Sequence, residues 1–128
     1  EILCKPGRLD EWEYRTIRTH PVKGFRKLAH RKDLCEGQLM MAYQHHERLD
    51  GKGYPVGCVA GDIHPWAKIC SVVDVFEALT SQRPYRTPMA RSKALTLQQR
   101  DCGTAFDPQV LAHWKSIIQR DLSSGSVA

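Results

Sequence analysis

The sequence predicts an all-α fold, a helical bundle of about five to six helices with one long loop. Three observations carry this. Apolar residues recur at three- and four-residue steps in several stretches, and capping residues or prolines stand where those stretches begin. No segment shows the period-two alternation of a half-buried strand.

Asp10 and Glu13 have the spacing of a capping box, with Leu9 before them, and open a helix through Trp12 and Ile17 towards His20. Pro21 interrupts or restarts it, because proline lacks the amide that a helix interior needs. Val22, Phe25 and Leu28 then continue an apolar face. Leu34 to His46 reads as a third helix, with Leu39, Met40 and Tyr43 at helical spacing. Residues 47–64 form a long loop, since Gly51, Gly53, Pro55, Gly57 and Gly61 break both helix and strand. A loop of that length in a small domain marks a functional segment. Pro65 suits the first turn of the next helix, which runs to about Ser81 through Ile69, Val72, Val73, Phe76 and Leu79. Arg83-Pro84-Tyr85-Arg86 is a connector. Thr87-Pro88 predicts another helix start, and Asp107-Pro108 repeats the device for a last helix ending near Asp121. The domain spans residues 1–121, and 122–128 is a frayed tail.

The 128 residues suffice for one domain or part of one. No apolar run approaches the roughly 20 residues that cross a bilayer, and the N-terminus lacks the pattern of a signal peptide. The chain begins at Glu1 without an initiator Met, which implies material upstream. Five scattered cysteines without a CxxC pair argue against zinc–thiolate binding and read as free thiols of a reducing cytoplasm, with Cys70 a small core residue. A net charge of +5 favours anionic partners, but no basic run interleaved with aromatics suggests DNA or RNA.

The chemistry concentrates in His45-His46-Glu47-Arg48-Leu49-Asp50-Gly51-Lys52-Gly53-Tyr54-Pro55-Val56-Gly57. Imidazole is the commonest metal ligand. Adjacent histidines at a helix end point in different directions, so this pair suits two metals, or one metal and one substrate. Asp74 lies in Ile69-Cys70-Ser71-Val72-Val73-Asp74-Val75-Phe76, apolar on nearly every side. A carboxylate buried there needs a metal, a base or several donors. Glu77 is the competing acid and reads as structural. With His20, the two histidines and Asp74 make a nitrogen and oxygen donor set suited to Fe, Mn, Zn or Ni. Arg83 and Arg86 fit either a phosphate grip or a solvated turn, and Tyr54 either a stacking face or a rigid turn. His30, His64 and His113 read as surface or packing residues.

The long motif fills every fixed position of HHExxDGxGYPxG, and the chain therefore resembles the HD-GYP domains. Lys5-Pro6-Gly7, His20-Pro21, Asp74-Val75-Phe76, Ala78 to Arg86 and Gly103 to Pro108 fit the same family. The resemblance covers Ile2 to about Leu111, the C-terminal two-thirds of such a domain. It implies hydrolysis of cyclic di-GMP to a linear product or GMP at a bi- or trinuclear divalent metal centre. His20, His45, His46 and Asp74 would be metal ligands, with His45, His46 and Asp74 in the catalytic centre. Tyr54, Arg83 and Arg86 would face the dinucleotide. The loop residues Gly51, Gly53, Tyr54, Pro55 and Gly57 would form a docking element for GGDEF-domain partners, the basis of an alternative role as a signalling adaptor. A third reading is an HD-type phosphohydrolase acting on another nucleotide. The family's His-Asp dyad falls upstream of Lys5-Pro6-Gly7. The chain alone is therefore expected to hold part of the centre, to turn over little substrate and to expose a surface suited to a homodimer.

Overall fold

The computed structural model describes residues 10–84 and 86–123. Among them it contains six α-helices: α1 Glu11–Ile17, α2 His20–Leu28, α3 Glu36–Gln44, α4 Pro65–Thr80, α5 Arg91–Arg100 and α6 Pro108–Ser123, with a 3-10 turn at Ala60–Asp62. The expected all-α class holds, and only isolated bridges such as Asp50 to Val59 accompany the helices. The Lys5-Pro6-Gly7 segment, Cys4, Leu9, Tyr85 and residues 124–128 lie outside the described residues.

Local chemistry explains most boundaries. Asp10 Oδ1 accepts from Glu13 N at 2.8 Å while Glu13 Oε1 accepts from Asp10 N at 3.0 Å, the reciprocal pair that closes a capping box. The chain stays αR at Arg18 and Thr19, so α1 and α2 meet at a shallow joint, with Pro21 buried in the first turn of α2. Gly37 in α3 lies under the Trp66 indole, where a Cβ would come within 2.3 Å of a ring carbon. That contact lets α3 and α4 approach closely. Gln44 fastens the same two helices: its Nε2 donates to Asp62 O at 3.0 Å and its Oε1 accepts from His64 N at 2.8 Å. His64 caps α4, its Nδ1 accepting from Trp66 N at 3.1 Å.

Helix α4 organises the core. Val72 packs with Ala105, Phe106 and Leu111, and Phe76 one turn later with Ala94, Leu95 and Ile118. Trp114 touches both clusters and meets Phe76 edge-on at 5.2 Å. Buried Gln98 ties α5 to α4 by donating to Val72 O at 2.8 Å.

Three expectations change. The Thr87-Pro88 pair does not open a helix: residues 87–90 are irregular and α5 starts at Arg91 after Ala90. Met89 N donates to Leu79 O at 2.9 Å and its side chain packs on the Phe76 cluster, so the segment is held along the end of α4. Helix α6 runs on to Ser123, past Asp121. Its start is as expected, with Asp107 Oδ1 accepting from Val110 N at 3.0 Å. Cys70 is half-buried, and Cys35, Cys58, Cys70 and Cys102 are free thiols. No helix among the described residues is long and apolar enough to cross a membrane.

Candidate metal centre

The joint between α1 and α2 supplies His20, and the C-terminus of α3 supplies His45 and His46. One ligand atom from each lies within 4.8 Å of the others. The two adjacent histidines therefore converge, contrary to the expectation from helical geometry. His45 is the C-cap of α3, and the chain turns at once, with Glu47 N donating to Gln44 O at 2.9 Å. The 100° step between helical neighbours no longer applies, and the rings stand 4.1 Å apart.

The backbone fixes the tautomers. His20 Nδ1 is 2.7 Å from Ile17 O, and His45 Nδ1 is 2.9 Å from Met41 O and 3.2 Å from Ala42 O. A carbonyl only accepts, so each Nδ1 carries the proton and each Nε2 presents a lone pair. Those two Nε2 atoms face each other at 3.3 Å. A shared proton or a metal ion can bridge two nitrogens at that distance. Metal–nitrogen bonds of about 2.1 Å place neighbouring ligand atoms of one ion about 3.0–3.4 Å apart, so the spacing fits a divalent ion. The carbonyl partners are the orienting contacts that metal-bound imidazoles require.

Burial, with the fields of His45 and His20, holds the His46 imidazole down to about 4. The unfolded chain protonates near 6.5, the folded one only near 4, so acid favours unfolding. This contribution to stability is complete above pH 6.5 and is lost progressively as the pH falls towards 4. In chelator-treated protein, thermal melts between pH 7 and pH 4 should show a falling Tm. His46→Gln should flatten that decline; an unchanged slope in the variant would contradict the assignment.

Glu47 is the residue whose role the sequence left unread. Its buried carboxylate accepts three backbone N–H groups: Val56 at 2.8 Å on Oε2, Gly57 at 2.9 Å and Cys58 at 3.1 Å on Oε1. It thus folds the glycine-rich loop back onto the histidines. The field of this carboxylate adds to burial in raising the Cys58 thiol. Gly51 and Gly57 take φ of +79° and +80°, the left-handed region that glycine enters without strain. Glu47→Gln keeps the shape but turns one acceptor into a donor facing N–H groups. It should cost about 2 kcal/mol in urea denaturation and speed hydrogen exchange at Val56, Gly57 and Cys58. Unchanged exchange at all three would refute this.

The loop delivers Tyr54, whose ring stacks on His46 at 4.9 Å with planes 11° apart. The Tyr54–Pro55 peptide is cis. Burial raises the phenol to about 12, so it is protonated at neutral pH. Arg18 lies over the other partner rings of this column, 5.1 Å from the Tyr54 centroid and 5.7 Å from Tyr14. In the sequence Arg18 looks like an ordinary basic residue at a helix end; only its position two residues before His20 hinted at more.

Asp74 does not join the cluster. It is not among the groups whose ligand atoms gather within 4.8 Å, and it is exposed rather than buried. Helix α4 buries Val72 and Phe76 on one side and Ala67 on another, and Asp74 lies on the Ala67 side, one turn after Cys70. Its field still reaches the site, since it contributes to raising both the Tyr54 phenol and the Cys70 thiol, behind burial in each case. Arg83 pairs with Glu77 at 2.8 Å, and Glu77 also accepts from Ser81 Oγ, which gives Glu77 the structural role expected of it. Arg86 donates to Ala78 O at 2.9 Å. The turn after α4 is thereby tied to its last helical turns. His64 caps a helix, and exposed His113 bonds its own helix at Gln109 O, so both are packing or surface residues.

The chain is thus an all-α bundle that brings three imidazoles together beside a glycine-rich loop, a cluster able to hold a metal ion. The HD domain family matches residues 1–110, and the chain belongs to that family, in its HD-GYP branch. It is similar to a 3′3′-cGAMP-specific phosphodiesterase of Vibrio cholerae, 39% identical over 120 residues that cover 91% of this chain and 25% of the relative. It is also similar to a cyclic di-GMP phosphodiesterase of Pseudomonas aeruginosa, 37% identical over 109 residues that cover 85% of this chain and 26% of the relative. The chain thus spans about a quarter of the length of these curated relatives. Among solved structures, an HD-GYP protein of Bdellovibrio bacteriovorus shares the fold, with a TM-score of 0.73, 18% identity, and coverage of 93% of this chain and 37% of that one.

Proposed function

We propose that the chain is part of a metal-dependent phosphohydrolase for cyclic purine dinucleotides. The observation that carries this is the pair of Nε2 atoms of His20 and His45 held face to face, with His46 beside them. His20, His45 and His46 would hold divalent Fe, Mn, Zn or Ni, with Asp74 the nearby carboxylate that completes the donor set and His45, His46 and Asp74 forming the catalytic centre. Held there, a divalent ion would supply neutralisation of phosphodiester charge and a lowered pKa for water. The chain's own groups do the rest. The Ile17, Met41 and Ala42 carbonyls keep two imidazoles in the ligating tautomer. Tyr54 offers a protonated hydroxyl and a ring for a base. Arg83 and Arg86 take phosphate, each anchored beforehand on α4 so that less freedom is lost on binding.

Relatives named for cyclic di-GMP and for 3′3′-cGAMP both support the substrate class. The test loads the protein with each metal in turn and follows both dinucleotides by chromatography. Cleavage of at least one, abolished by His46→Ala and by Asp74→Ala, is expected. Cleavage of a different nucleotide and neither of these would replace the reading. Turnover by the 128-residue chain alone should be low, because among the described residues no carboxylate joins the three imidazoles within 4.8 Å. A cytoplasmic setting suits its free thiols.

A second reading rests on the loop surface, where Val56 is 64% exposed and Val59 54%. These side chains suit docking of a GGDEF-domain partner. Capture of such a domain, lost when residues 51–57 are altered but kept in Asp74→Ala, would favour an adaptor.

A further inference from the structure

Arg18 carries an inference that rests on the phosphodiesterase reading and deepens it. The residue is the C-cap of α1, its N–H bonded to Tyr14 O at 3.0 Å, so its backbone is fixed beside His20. Its exposed side chain lies over Tyr14, one turn back, and over Tyr54. Tyr54 in turn stacks on His46. The result is a column, Tyr14–Arg18–Tyr54–His46, leading from solvent to the imidazole cluster.

Among the arginines described, Arg18 rests on two aromatic faces without a counter-charge. Arg15 is paired with Glu11, Arg48 with Asp50, Arg83 with Glu77 and Arg91 with Asp121. The Arg18 guanidinium makes no ion pair or hydrogen bond among the described residues. A cation resting on aromatic faces is held in place while its donors stay uncommitted. Arg matches a phosphate with two parallel N–H groups, which Lys cannot do. A cyclic dinucleotide has two phosphodiesters. If one is cleaved at the imidazoles, the other must lie outside them, on the solvent side where the column ends.

We propose that Arg18 grips the phosphate that is not being cleaved, and so selects dinucleotides over simple phosphodiesters. Tyr54 shapes this subsite by holding the guanidinium.

The test compares metal-loaded protein in its full natural length with its Arg18→Gln and Arg18→Lys variants. Two substrates are used: the preferred cyclic dinucleotide and bis(p-nitrophenyl) phosphate, which has one phosphate only. Arg18→Gln should raise KM for the dinucleotide about ten- to a hundredfold, as for loss of a charge-assisted hydrogen bond, with kcat nearly unchanged. Arg18→Lys should fall between. Hydrolysis of bis(p-nitrophenyl) phosphate should be unaltered in both, as should manganese affinity by equilibrium dialysis. Dinucleotide affinity of the metal-free protein should weaken by the same factor as KM. An unchanged KM, or an equal loss on both substrates together with weaker manganese binding, would overturn the proposal by showing that Arg18 has no substrate role or merely supports the loop. Unmutated protein that binds metal yet cleaves neither substrate would overturn the phosphodiesterase reading itself, and this proposal with it.

Discussion

Gly53→Ala is expected to cost about 3 kcal/mol or more and to abolish metal binding. A Cβ at this position would lie 2.4 Å from His46 O, 2.5 Å from Arg48 N and 2.6 Å from Glu47 Cα. All three are backbone atoms, so no rotamer change relieves the overlap. The close approach arises because Tyr54 N donates to His46 O at 3.2 Å, which brings the returning loop directly onto the histidine segment. Pushing the loop away would lift Tyr54 from His46 and strain the Glu47 carboxylate from its three N–H donors. Gly61 provides the control, since a Cβ there meets nothing within 4 Å. Urea denaturation and manganese titration should show Gly61→Ala near the unaltered protein and Gly53→Ala far from it. Similar behaviour of the two variants would mean that the loop tolerates displacement and does not support the histidines.

The contrast between those glycines shows where sequence reading succeeds. The motif marks Gly51, Gly53 and Gly57 together, but only the fold separates two that need positive φ from one that needs space. Asp10-Glu13 and Asp107-Pro108 are read correctly because their partners are three residues away. Thr87-Pro88 carries the same kind of signal, and a hydrogen bond from the neighbouring Met89 to Leu79 overrides it. Asp74 reads as buried because α4 looks apolar all round. The helix instead leaves Ile69 and Val73 exposed, and no local pattern records which apolar side is covered. The convergence of His45 and His46 depends on α3 ending at Gln44, and helix ends are the least legible feature of a sequence. Arg18 acquires meaning only through Tyr54, a contact made across the fold.

His45→Ala should remove the ion without unfolding the protein, and the two effects together identify a ligand. The Nε2 of His45 faces that of His20 at 3.3 Å, and each Nδ1 meets a backbone carbonyl. That contact is longer than an ordinary hydrogen bond, so removing the imidazole should change the Tm in chelator little. The surviving loss is the hydrogen bond from Nδ1 to the last turn of α3, worth about 1 kcal/mol. Metal affinity should fall at least about a hundredfold, beyond what loss of an outer orienting contact produces. Bound ion stabilises the native state by RT ln(1 + [L]/Kd), so at a concentration a hundred times Kd the unaltered protein gains about 2.7 kcal/mol. The variant should gain about 0.4 kcal/mol at the same concentration. Paired thermal melts, with chelator and with manganese, measure both quantities in one experiment. A large drop in the chelator arm would assign His45 to the core packing of α3. Equal metal-induced gains in the variant and the unaltered protein would place the ion elsewhere.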